Sequence, residues 1–97
     1  MKVGDIVISI LGHDTGEWYL VKRIDEQFVY LINGKTKTVD NPKKKKIKHI
    51  YKTEYNSNEL AFKLINENYI QNAEIRKALK FFKNINQRSM YVKRRCN

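Results

Sequence analysis

Asp40-Asn41-Pro42-Lys43-Lys44-Lys45-Lys46-Ile47-Lys48-His49-Ile50 divides the chain into two unlike halves. The residues before it fall into short runs rich in β-branched and aromatic side chains, and those after it show helical spacing. The stretch opens on a turn signal at Asn41-Pro42 and passes through four consecutive lysines. It then enters an alternating segment, Ile47–Lys52, that reads as a strand. How this stretch joins the halves decides whether the chain is a sheet with helices packed against it.

Working back from it, the first strand is expected at Ile6-Val7-Ile8-Ser9-Ile10-Leu11, behind Gly4-Asp5. Its apolar residues fall on both parities, and a strand apolar on both faces wants cover on both sides. One face suits a barrel interior, and the C-terminal helices are candidates to cap the other. Gly12-His13-Asp14-Thr15-Gly16 breaks the run with two glycines whose backbone is expected at positive φ. Trp18–Ile24 reads as the second strand, and Gln27–Ile32 as the third after a turn at Asp25-Glu26. Asn33-Gly34 is the dipeptide of a type I′ hairpin, returning through Lys35–Val39 as a fourth strand. With Ile47–Lys52 as the fifth, the pattern predicts a small antiparallel barrel.

Working forward, Asn56-Ser57-Asn58-Glu59 has the form of a capping box with Asn56 as cap. Leu60, Ala61, Phe62, Leu64, Ile65 and Tyr69 then cover an arc of roughly 200° at about 100° per residue. Such a face suits a helix wedged between the barrel and a second helix. That second helix is expected from Ala73 to about Ile85, capped by Asn72. Its apolar stripe is Ile75, Ala78, Leu79, Phe82 and Ile85, with Phe81 at the border. Arg76, Lys77, Lys80 and Lys83 occupy the opposite arc.

Charge is distributed unevenly. Residues 1–41 carry five basic and six acidic side chains, residues 42–53 six lysines and no acid, and residues 54–97 nine basic and four acidic. A neutral body with a basic edge and a basic second half favours a polyanionic partner. Fifteen Lys against five Arg, with ten Asn and eleven Ile, also fits an A/T-rich coding sequence; that bias does not explain why residues 1–41 escape it. A single cysteine, Cys96, excludes an internal disulfide. With no signal peptide and no long apolar run, the expectation is a cytoplasmic protein with no membrane partner. The two histidines and one cysteine make no metal-ligand set. No nucleophile–base spacing and no Gly-rich phosphate loop are present. The chain therefore reads as no enzyme, with no cofactor and no small-molecule substrate.

Gly4-Asp5-Ile6-Val7, then Gly12-x-x-x-Gly16 and Val21, resemble the KOW motif of ribosomal and transcription-elongation proteins. With the Asn33-Gly34 hairpin and Asn41–Ile50 in register, residues 3–52 resemble small bacterial KOW-domain RNA-binding proteins. Those are related to a group of archaeal and eukaryotic large-subunit ribosomal proteins. The resemblance implies an SH3-like barrel that binds RNA. Together with the helices read from their spacing, the expected fold is α+β: a five-stranded SH3-like antiparallel β-barrel over residues 1–54, followed by two C-terminal helices over 55–87. A basic tail, 88–97, is expected to order only on its partner. The implied partner is RNA, ribosomal in kind, with ribosomal proteins as further neighbours. One departure matters. The family's loop between the glycines is usually basic, whereas here it reads His13-Asp14-Thr15 and is followed by Glu17. This shifts the expected phosphate contact to the lysine run.

The candidate nucleic-acid-binding residues are Lys43, Lys44, Lys45, Lys46, Lys48, His49 and Lys52. To them are added His13 in the glycine loop, Arg76, Lys77, Lys80 and Lys83 on the second helix, and Arg94 and Arg95 in the tail. Lysine is a flexible point charge, so such a site holds phosphate without reading sequence. Against this, lysines also blunt exposed strand edges, and a row of cations on a helix is an ordinary solvated face. Trp18 and Tyr19 follow the loop, where an aromatic can stack on an unpaired base, although burial is the commoner fate of tryptophan in a small core. Two other functions fit the same residues: a protein-interaction module using the barrel groove or the helices, and a basic DNA-binding protein.

Overall fold

A computed structural model of the chain describes residues 1–96, with side chains as far as Arg88. The order of elements is β1 (Asp5–Ser9), β2 (Trp18–Asp25), β3 (Phe28–Ile32), β4 (Lys43–Lys46), a 3-10 turn (Ile47–His49), β5 (Ile50–Asn56), α1 (Asn58–Ile65) and α2 (Asn72–Cys96). The strands form one antiparallel sheet in the order β4-β3-β2-β1-β5, so the architecture is α+β.

β1 shows why the sheet carries apolar residues on both faces. Successive side chains of a strand point to opposite sides. Val7 joins Tyr19, Val21, Val29, Leu31 and Ile50 in one buried cluster. Ile6 joins Leu20 and Ile32 in a second cluster, which is completed by Leu60 of α1, Ile70, and Ile75 and Leu79 of α2. Burying each of these large aliphatic side chains stabilises the fold by roughly 1.5–3 kcal/mol. Register shifts between Asp5 and Val7 in the β1–β5 pairing and between Val21 and Arg23 in the β2–β3 pairing put extra residues on β5 and on β2. Bulges of this kind bend a strand and increase its twist, which lets the first face fold inward on its own cluster.

Two glycines set how closely the helices approach. A Cβ on Gly4 would lie 2.5 Å from the Ala61 Cβ, and one on Gly34 would lie 2.9 Å from the Arg76 Cγ and overlap the Asn72 carbonyl oxygen. Both glycines also have positive φ, +90° and +76°, so any side chain there meets strain as well as a clash.

The helix ends differ from the sequence expectation. Ser57, not Asn56, caps α1, its Oγ accepting from the Leu60 N–H at 3.3 Å. Glu59 then falls in the first turn, where its charge complements the helix dipole. Asn72 is the first residue of α2, and its Oδ1 accepts from the Val39 N–H, which pins the residue 35–41 segment to the helix. The donor left free ahead of α2, the Gln71 N–H, is taken by Glu74 Oε2. Glu74 also pairs with Lys63, which ties α1 to α2 and lowers the Glu74 pKa, through the Lys63 hydrogen bond first, while raising that of Lys63. α2 continues well past Ile85, the end expected from the apolar stripe. The broad apolar arc of α1 is only half covered: Leu60 and Ala61 are buried, whereas Phe62 and Ile65 are exposed, as is Tyr69 beyond the helix.

The largest correction concerns the fourth strand. Lys35–Val39 is not a strand; it coils around Asn33. The Asn33 Oδ1 accepts from the N–H groups of Lys35 and Lys37, and its Nδ2 donates to Thr36 Oγ1. Local side-chain hydrogen bonds of this kind compete with a ladder. Only Gly34 of the expected type I′ pair has positive φ, so that turn does not form. β4 is instead the lysine run itself, and the segment after it begins as a 3-10 turn before becoming β5.

Candidate nucleic-acid interface

β4 pairs with β3 in the register Phe28↔Lys46, Val29↔Lys45, Tyr30↔Lys44 and Leu31↔Lys43. Cross-strand partners share a face, so the run is split by strand parity. Lys43 and Lys45 stand beside Leu31 and Val29, both members of the buried inner cluster. Lys44 and Lys46 stand beside Tyr30 and Phe28 on the outer face.

The inward pair meets the glycine loop. Lys45 Nζ donates to Asp14 Oδ1 at 2.9 Å and to the Leu11 carbonyl oxygen at 2.7 Å, and its side chain is only 9% exposed. Lys43 Nζ lies 3.5 Å from the other Asp14 oxygen. Asp14 also accepts from Ser9 Oγ and the Tyr19 hydroxyl, each at 2.8 Å. Burial alone would raise its pKa, but the hydrogen bonds from Lys45, Tyr19 and Ser9, with the Lys45 charge, outweigh that and hold it well below the ordinary 3.8. Burial, and then the hydrogen bond to Asp14, push the Tyr19 hydroxyl well above its ordinary value of 10.0. Tyr19 is thus a core residue and no stacking platform. The acidic loop residue is an internal counter-ion that draws the edge strand across the inner cluster onto the β1–β2 loop.

The outward pair faces solvent. Lys44 Nζ sits 4.3 Å from the centre of the Phe28 ring, and the Arg23 guanidinium 4.5 Å from that of Tyr30. The cross-strand rows Arg23↔Tyr30↔Lys44 and Asp25↔Phe28↔Lys46 each place a half-buried aromatic of β3 between charged residues of β2 and β4. Arg23 has a weak partner in Asp25 at 3.8 Å. Beyond β4, Lys48 and Lys52 are exposed, while His49 is half-buried in the turn. Partial burial, then the charges of Lys48, Lys46 and Lys45, lower the His49 pKa and favour its neutral form. Among the described residues, Lys44, Lys46, Lys48 and Lys52 form no ion pair. His13 is exposed in the loop and Gly12 and Gly16 flank it at positive φ.

On α2, Arg76, Lys77, Lys80 and Lys83 are all exposed. They do not share one surface. Arg76, Lys80 and Lys83 line a cleft against Trp18 and the Asn33 turn, whereas Lys77 lines the groove between α1 and α2 with Leu60, Phe81 and Phe82. The side chains of Arg94 and Arg95 lie outside the described residues. The residues that sequence reasoning missed are Phe28, Tyr30 and Arg23. Their signal was the parity of the third strand, where Phe28 and Tyr30 alternate with the apolar Val29 and Leu31.

No family model and no curated protein matches the chain. Among the described residues no helix is long and apolar enough to cross a membrane.

Proposed function

We propose that this chain is an RNA-binding protein built on an SH3-like barrel of the KOW type, docking on ribosomal RNA through its Lys-rich edge. The observation that carries the reading is the outward pair of β4: Lys44 and Lys46 are exposed, form no ion pair among the described residues, and have Tyr30 and Phe28 in register beside them. Lys48 in the following turn and Lys52 on β5 add further exposed charge. Cations interleaved with aromatics supply phosphate contact together with faces on which unpaired bases stack. The KOW assignment is supported by the placement of the motif residues: Gly4-Asp5-Ile6-Val7 enters β1, and Gly12–Gly16 joins β1 to β2.

Co-sedimentation with ribosomes over a salt series tests the reading. Lys44→Gln, Lys46→Gln, Lys48→Gln and Lys52→Gln together are expected to abolish pelleting at moderate salt. With four phosphates neutralised, log K against log salt should slope about −3 to −4. Association that resists both salt and the substitutions would sink it. That outcome favours a second reading, docking of a protein on the helices, for which the exposed Phe62, Ile65, Tyr69 and Phe81 speak.

A further inference from the structure

The cleft between β2 and α2 lies apart from the lysine edge, has a volume of about 280 Å³ and combines one aromatic with four cations. Trp18 is half-buried, packs against the outer core cluster and lines this cleft. Arg76, Lys80 and Lys83 follow one another at spacings of four and three residues. That puts them in one row along α2, about 10 Å long at roughly 1.5 Å per residue. Lys35 faces them from the Asn33 turn, and Glu17 is the single acid in the lining. Arg76 is held in place, since its Nη1 donates to the Gly34 carbonyl oxygen at 2.6 Å.

We infer that this cleft takes one unpaired nucleotide of an RNA strand, its base against Trp18 and its flanking phosphates on Arg76, Lys80 and Lys83. The inference rests on the RNA reading above and names a second contact for it. The volume sits near the lower end of small-ligand pockets, roughly 300–1,000 Å³, so a single base fits and a duplex does not. A tryptophan face suits any base because every base presents a π-surface, and a row of cations suits the phosphates on either side.

Trp18 is the chain's one tryptophan, so its fluorescence reports the cleft alone. The intact protein is titrated with fluorescently labelled oligoadenylate, and RNA anisotropy is read beside Trp18 emission. The same strand annealed to oligouridylate, polyphosphate and polyglutamate serve as comparison ligands. Quenching by the single strand is expected, with at least about fivefold weaker quenching by the duplex and none by polyphosphate, as stacking requires. Lys80→Gln with Lys83→Gln should remove the quenching and reduce the salt slope by about 2. Oligoadenylate binding by anisotropy with unchanged Trp18 emission overturns the inference and leaves the RNA reading standing. Failure of every RNA to change the anisotropy overturns both. Equal quenching by polyglutamate overturns it in favour of an acidic peptide.

Discussion

The four lysines of β4 and the four cations Arg76, Lys77, Lys80 and Lys83 in the first half of α2 have similar sequence signatures and unlike fates. A strand sends alternate side chains to opposite faces, so one contiguous run is divided into two counter-ions for Asp14 and two solvent-facing charges. A helix turns about 100° per residue, so Arg76, Lys77, Lys80 and Lys83 all stay exposed while facing two different grooves. Counting cations therefore overstates the binding surface on the strand and misjudges its continuity on the helix. Secondary structure decides which charges belong to the fold.

The sharpest way to break this comparison is Asp14→Ala. It removes the counter-ion of the nearly buried Lys45 ammonium, leaves the Tyr19 hydroxyl without its acceptor, and leaves Ser9 and Lys45 only the Leu11 carbonyl oxygen. Because the pair sits at the edge of the core, the expected loss is about 2–4 kcal/mol, toward the low side of a broken buried pair. Urea unfolding measures it. A change below about 0.5 kcal/mol would make all four lysines equivalent and end the distinction.

Alongside Glu74, the same carboxylate contributes to the acid limb. Its folded-state pKa lies below the ordinary 3.8, so the unfolded chain takes up the proton first as pH falls. The stabilisation is complete above that value and is lost as pH drops below it. Asp14→Asn should flatten this limb relative to the native chain in thermal melts across pH. At the alkaline end the raised Tyr19 pKa has the opposite sense: its contribution is present below pH 10.0 and fades above it. Tyr19→Phe should remove that alkaline dependence.

On the helix, Arg76 is the one cation with a described structural bond, to the Gly34 carbonyl oxygen. Arg76→Gln is expected to cost about 0.5–1.5 kcal/mol, whereas Lys80→Gln and Lys83→Gln should each stay within about 0.5 kcal/mol by the same unfolding assay. The smallest stability effect belongs to the outward strand pair. Lys44→Gln with Lys46→Gln should shift stability by under about 0.5 kcal/mol and yet lower the salt slope of RNA binding by about 2. Lys43→Gln should leave that slope nearly unchanged, and an equal drop for both would erase the inward–outward split.

The first three strands were legible because their apolar residues alternate or cluster with β-branched neighbours, and β1–β3 lie within a residue or two of their expected positions. The fourth was not. Lys35-Thr36-Lys37-Thr38-Val39 has the better strand composition, but Asn33 offers its backbone a tighter set of local hydrogen bonds. The true edge strand hides its periodicity, because Lys43 and Lys45 alternate with Lys44 and Lys46 in partner and not in hydropathy. Asp14, the lone acid between the glycines, was the clue: it marks where two lysines turn inward. Of the candidate site, the exposed lysines within residues 43–52 were legible as a stretch, but the neighbouring aromatics were not, since Phe28 and Tyr30 acquire these neighbours only through the β3–β4 register. The α1 cap lies one residue later than expected, at Ser57, and with Leu60 three residues on it is a single side-chain cap and not a capping box.

The pairing of β1 with β5 has a kinetic consequence. β1 finds β2 close along the chain, but Ser9 must wait for Ile50, and Asp5 for Asn56. Contacts of such long sequence separation form late, because loop-closure entropy opposes them until other structure exists. The bonds from Lys45 to Leu11 and Asp14 span 34 and 31 positions and close the opposite edge of the sheet. A substitution in that late-forming clamp is expected to speed unfolding while leaving the folding rate nearly unchanged. Lys45 is therefore expected to act on how long the sheet stays folded and not on how fast it forms.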